Sequence, residues 1–140
     1  MIYAKLMSKF KVSASSRFEE LWRYNIVLVC ELCNAKGERI DYLAEESFVA
    51  EVGSNLEMPP VDYSVDRTLR IATKEGDYIN VLVYVVPHTL PSTNDIIKTK
   101  PFSLVVKIEN DKKESLINQV FKVNQWSGDN ISLEKVGLNG

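Results

Sequence analysis

Apolar and polar residues alternate along most of the chain. In the first segment Ile2, Ala4, Leu6, Phe10 and Val12 share one parity, while Lys5, Lys9 and Lys11 take the other. A period of two belongs to a β-strand, whose successive side chains point to opposite faces. The segment therefore predicts a half-buried strand. Its row of outward lysines predicts a sheet edge, because charged side chains there discourage pairing with foreign strands. Between Ser13 and Trp22 the alternation stops. Ser16 followed by Glu19 has capping-box spacing, and Phe18, Leu21 and Trp22 fit the buried side of one or two turns. One short helix near residues 16–22 is predicted.

Two later segments, Tyr24–Cys33 and Tyr78–Val86, are apolar on both faces and predict central strands. Asn34-Ala35-Lys36-Gly37 supplies turn chemistry between Tyr24–Cys33 and Glu38–Leu43, predicting a hairpin. Lys74-Glu75-Gly76-Asp77, flanked by Thr68–Thr73 and Tyr78–Val86, predicts a second hairpin. Phe102, Leu104, Val106 and Ile108 alternate again up to Asn110–Glu114. Leu116–Asn124 is the next arm, Ser127–Asn130 a turn, and Ile131–Val136 the last strand. Residues 44–66 and 87–95 read as long connections, the first with a short strand over Ser47–Val52. Such connections often carry function.

About eight strands at this spacing, without a βαβ rhythm, predict one all-β domain over residues 1–140. The expected architecture is a two-sheet antiparallel β-sandwich, C2-like or immunoglobulin-like. A chain of 140 residues is long enough to enclose a hydrophobic core. The N-terminus lacks a basic region followed by an unbroken apolar stretch, and the longest apolar runs, Ile26–Cys30 and Val81–Val86, are too short to span a bilayer. No integral membrane segment and a cytoplasmic location are expected, with a secreted mature form as the alternative.

Charge and motifs narrow the chemistry. A formal net charge of −2 and a pI near 5.5 provide no global attraction for nucleic acid, so none is expected as a partner. Cys30-Glu31-Leu32-Cys33 has redox-motif spacing, but a reactive first cysteine wants a helix N-terminus, and these two lie in a strand. Three residues apart on a strand, they face opposite ways, which predicts one buried thiol and one nearer the surface. A zinc site needs about four ligands, and the only histidine, His88, is remote.

His88 lies in a loop between Pro87 and Pro91, a tolerable place for a catalytic base, but a lone loop histidine is expected to be an exposed or hydrogen-bonded surface residue. Glu45, Glu46, Asp62, Asp66 and Asp77 form no recognisable catalytic pair. Asp62, Asp66 and Asp129 include no Asp-x-Asp of the kind calcium loops use. Glycine-rich phosphate motifs are missing from the sequence.

These readings predict a non-catalytic chain with no cofactor and no metal. The expected function is a structural or protein–protein interaction module within a larger assembly, with a protein partner or self-association. The alternative is a ligand-binding sandwich for calcium and phospholipid or carbohydrate, using the loops 44–66 and 87–95. The expected interaction surface comprises Tyr3, Lys5, Lys9, Lys11, His88 and Trp126, the last at the start of a turn.

Overall fold

The computed structural model describes residues 7–54, 56, 58–64, 67–88, 101–124 and 129–138. Within them the chain forms eight strands: β1 (Phe10–Ser15), β2 (Tyr24–Cys33), β3 (Arg39–Ser47), β4 (Leu69–Ala72), β5 (Tyr78–Pro87), β6 (Phe102–Asn110), β7 (Ser115–Val123) and β8 (Asp129–Val136). They make two four-stranded sheets, in the orders β4-β1-β6-β7 and β3-β2-β5-β8. Every neighbouring pair is antiparallel. The protein is an antiparallel two-sheet β-sandwich.

The inner faces follow the alternation. Phe10, Val12 and Ala14 of β1, and Phe102, Leu104, Val106 and Ile108 of β6, meet Ile26, Leu28, Cys30 and Leu32 of β2 and Ile79, Val81, Val83 and Val85 of β5 in one buried core. Phe18 stacks on Phe102 at 4.5 Å between ring centroids, and Tyr24 tilts against the same ring at 5.0 Å. These aromatics close one end of the core. As the two-sided apolar pattern predicted, β2 lies between β3 and β5, and β5 between β2 and β8.

The β2–β3 and β6–β7 hairpins use the same local device. The Asn34 side-chain oxygen accepts from the N–H groups of Lys36 and Glu38, and its amide donates to the Glu38 carboxylate. Asn110 does the same for Lys112, Glu114 and the Glu114 carboxylate. Gly37 and Lys113 take the left-handed conformation that each turn requires, with φ of 85° and 63°.

Several expectations are corrected. β1 is an interior strand, paired on both sides by β4 and β6. Its lysine row records a solvated face, which is independent of whether the strand edges are paired. Lys74–Asp77 is no hairpin turn, since β4 and β5 belong to different sheets. The segment arches across the sandwich instead. The N–H of Thr73 donates to the Phe10 carbonyl, the Thr73 hydroxyl accepts from the Phe10 N–H, and Gly76 pairs with Ser8.

The helix near 16–22 reduces to a 3₁₀ turn at Leu21–Arg23. Ser16 caps nothing; its hydroxyl donates to the Ser103 carbonyl and accepts from the Phe18 N–H, anchoring the connection to β6. β3 runs on to Ser47, and residues 48–52 form no strand. Of the expected turn at Ser127–Asn130, Asp129 and Asn130 belong to β8 and the rest lies outside the described residues. Among the described residues no helix is long and apolar enough to cross a membrane.

Gly76 is a sterically demanding point of the arch. A Cβ built there would lie 2.4 Å and 2.6 Å from the Cδ1 and Cγ atoms of Leu32, a fully buried side chain with no room to retreat. Gly76→Ala is expected to destabilise the fold by about 1–3 kcal/mol, as overpacked core sites do. Urea unfolding of the two proteins measures the difference.

Candidate functional site

Three parts of the surface and its margins carry the functional question: a polar knot at one end of the sandwich and the two outer sheet faces. The knot forms where the chain leaves β3 and crosses towards β4. Arg67 fans its guanidinium across the carbonyls of Leu21, Tyr24 and Ser47 and the Ser47 hydroxyl, and stands over the Tyr63 ring at 5.6 Å. Asn25 donates to the Ala50 carbonyl and accepts from the N–H groups of Val49 and Ala50. The His88 carbonyl accepts from Gly53 and Ser54, and its N–H donates to Arg23.

His88 is wholly buried, so the expectation of a surface histidine is corrected. Its Nε2 lies 2.6 Å from the Trp22 carbonyl and must carry the proton, since a carbonyl only accepts. Burial lowers its pKa from the usual 6.5; the Trp22 carbonyl opposes this, and the nearby Arg67 and Arg23 charges add to the lowering. The geometry suits a neutral ring that ties β5 to the 3₁₀ turn.

The cysteines also differ from expectation, since both are buried and free. Cys30 points into the core, where burial pushes its thiol pKa to about 12. Cys33 sits on the opposite face beside Tyr78, its cross-strand partner, with Asn80 Nδ2 at 4.0 Å from its sulfur. The Tyr78 hydroxyl reaches the Asn34–Gly37 turn at Gly37. Facing outward on a strand therefore did not mean exposure.

The outer face of β3-β2-β5-β8 is unusually apolar. Cross-strand pairing sets Val29 beside Ala44 and Leu82, and Val27 beside Glu46 and Tyr84. Val27, Leu82 and Tyr84 are half-buried, Tyr42 and Val86 are exposed, and Phe48 continues the same parity just beyond β3 with 59% of its surface open. Glu31, Glu46, Asn130 and Ser132 surround this patch. Glu31 pairs with Arg39 at 3.4 Å.

The outer face of β4-β1-β6-β7 has the opposite character. Lys9 and Lys11, both expected at the surface, are exposed there, with Arg70 and Lys107. Tyr3, Lys5 and Trp126 lie outside the described residues. Arg70 and Lys107, on β4 and β6, carried no sequence motif; only the strand order brings them beside β1. Of the candidate carboxylates, Glu45, Glu46 and Asp62 are exposed, Asp77 is half-buried and Asp66 lies outside the described residues. Among the described residues no group of three or more His, Cys, Asp or Glu side chains is placed to hold a metal ion. Comparison with protein-family models, curated proteins and solved structures finds no match to this chain.

Two measurements test this reading of the buried groups. A depressed histidine pKa means that the unfolded chain binds more protons, so stability is complete above about pH 6.5 and falls as pH drops below it. The wild-type urea midpoint is expected to fall between pH ~7.5 and ~5 more steeply than that of His88→Gln, whose side chain does not titrate. Neither thiol is expected to react with an aromatic disulfide reagent at pH ~8 until denaturant is added. Prompt release of one equivalent from the native protein would show Cys33 to be accessible.

Proposed function

We propose that the chain is a non-catalytic interaction module that docks a protein partner, as a subunit of a larger assembly, through the outer face of β3-β2-β5-β8. One observation carries this reading: the face is apolar where a solvated sheet face is normally polar. An antiparallel sheet with one side in the core ordinarily alternates hydrophobic-in and polar-out. Here Val27, Val29, Leu82, Tyr84 and Val86 occupy outward positions on the two central strands, and Tyr42 adds an exposed ring. An apolar centre with a polar rim, here Glu31, Glu46, Asn130 and Ser132, is the anatomy of a protein interface.

The face is a better candidate than the neighbouring edge. β3 places Asp41 and Glu45 opposite Leu32 and Leu28, on the core-facing side of an edge strand. Inward charges of this kind resist the addition of a further strand. The reading includes a cytoplasmic location, supported by the two free thiols, which suit a reducing compartment. The loop-based alternative for calcium, phospholipid or sugar gains nothing from the described part of residues 44–66, where Glu51 and Asp62 are exposed and not clustered.

A photo-crosslinking residue placed at position 84, with Arg70 on the other sheet as the control position, tests the proposal in the source cell. Crosslinks from position 84 to one protein species, or to a second copy of the chain, are expected, with none to that species from position 70. Tyr84→Glu should abolish the association while shifting the thermal midpoint by only a few degrees. A strict monomer in sedimentation, with no crosslinked species from position 84, would overturn the reading.

A further inference from the structure

The outer face of β4-β1-β6-β7 lies on the other side of the sandwich, and its chemistry is independent of the apolar face. Arg70, Ser13, Lys107 and Asn118 stand side by side across four strands, and Ala72, Lys11, Glu109 and Ser115 form the next row. The small side chains of Ser13 and Ala72 make a low floor among the long stems of Lys11, Arg70 and Lys107. The result is an open hollow of about 710 Å³ lined by these rows. Lys11, Arg70 and Lys107 are all exposed, and neither ion pair found among the described residues involves them. Glu109, opposite Lys11, is the one carboxylate among the described residues that line the hollow. In a chain of net charge −2, Lys11, Arg70 and Lys107 outnumber Glu109 around this depression and make it locally positive.

The geometry points to a binding site for an extended acidic polypeptide segment. Lys11 and Lys107 are diagonal cross-strand neighbours, which places their Cα atoms about 7–8 Å apart. In an extended peptide, side chains on one face recur every ~6.8 Å. Carboxylates at alternate positions of such a segment therefore match the spacing of the strand positions that carry the cations, while Ser13, Ser115 and Asn118 offer hydrogen bonds to its backbone. Single-stranded nucleic acid fits less well, because its binding sites supply aromatic rings on which bases stack. The outward positions of β1, β4, β6 and β7 lining this hollow carry none.

Two labelled peptides of equal length and charge separate pattern from charge: one alternates Glu and Ser, the other gathers its Glu residues in a single block. In fluorescence anisotropy at low salt, the alternating peptide is expected to bind more tightly than the block peptide, and to weaken as salt is raised. The double variant Lys11→Ser/Lys107→Ser should bind it at least about tenfold more weakly, equivalent to ~1.4 kcal/mol. Glu109→Gln should tighten binding. All three residues are exposed, and an unchanged thermal midpoint and circular dichroism spectrum verify that the variants fold. No binding, equal binding of the two peptides, or equal binding by the double variant would overturn the proposal. Tighter binding of an oligothymidylate of matched length would overturn it in favour of a nucleic acid.

Discussion

A sandwich must carry its chain from one sheet to the other, and each crossing takes backbone groups out of a ladder. Those groups need other partners, since a buried polar group left unpaired costs about 1–3 kcal/mol. At the end where β3 gives way to the long connection, Arg67, Asn25 and His88 meet that need. One guanidinium holds carbonyls from the 3₁₀ turn, the start of β2 and the end of β3. One amide holds both the donors and an acceptor of Val49-Ala50. The knot sits beside the aromatic plug of Phe18, Tyr24 and Phe102, so the polar and apolar closures of this end depend on one another. Three side chains that resemble chemistry in a list of residues are thus committed to architecture.

The core side of the fold was readable from the sequence because burial and parity are the same fact for a strand between two layers. Val12, Leu28, Val81 and Leu104 could face only inward, and the two-sided apolar runs could lie only in the middle of a sheet. Pairing partners were less legible. A turn tetrapeptide reports that the chain reverses, and Lys74–Asp77 does reverse it, but into the opposite sheet. Likewise the lysines of β1 report water on one face and say nothing of β4, a strand of only four residues that covers the edge of β1. The repeated Asn-x-Lys-x-Glu pattern of Asn34–Glu38 and Asn110–Glu114 was a usable local signal, since in each case one asparagine organises the whole turn.

Site residues were legible only where a single strand carried them. Lys9 and Lys11 stand where alternation puts them. His88 does not, because its environment comes from Trp22 and the Gly53–Ser54 backbone, which no local pattern ties to Pro87. Arg70 and Lys107 join Lys11 only through strand order, and both are remote from it in sequence. Cys33 shows the same limit in reverse: it faces outward by parity beside Tyr78, yet it is buried.

The division of polarity between the two outer faces follows from this economy. With the interior of the sandwich filled by side chains and its end tied by hydrogen bonds, variable chemistry is left to the outward positions of the strands. On β2 and β5 those positions include Val27, Val29, Leu82, Tyr84 and Val86; on β1, β4 and β6 they include Lys, Arg and Ser. The two sets belong to different sheets, so a contact on one face leaves the other open. Apolar contact gains from excluding water and is little affected by salt, whereas attraction at exposed cations is long-ranged and screened. Under the two proposals, a partner docked on the first face leaves the second responsive to an acidic segment and to ionic strength.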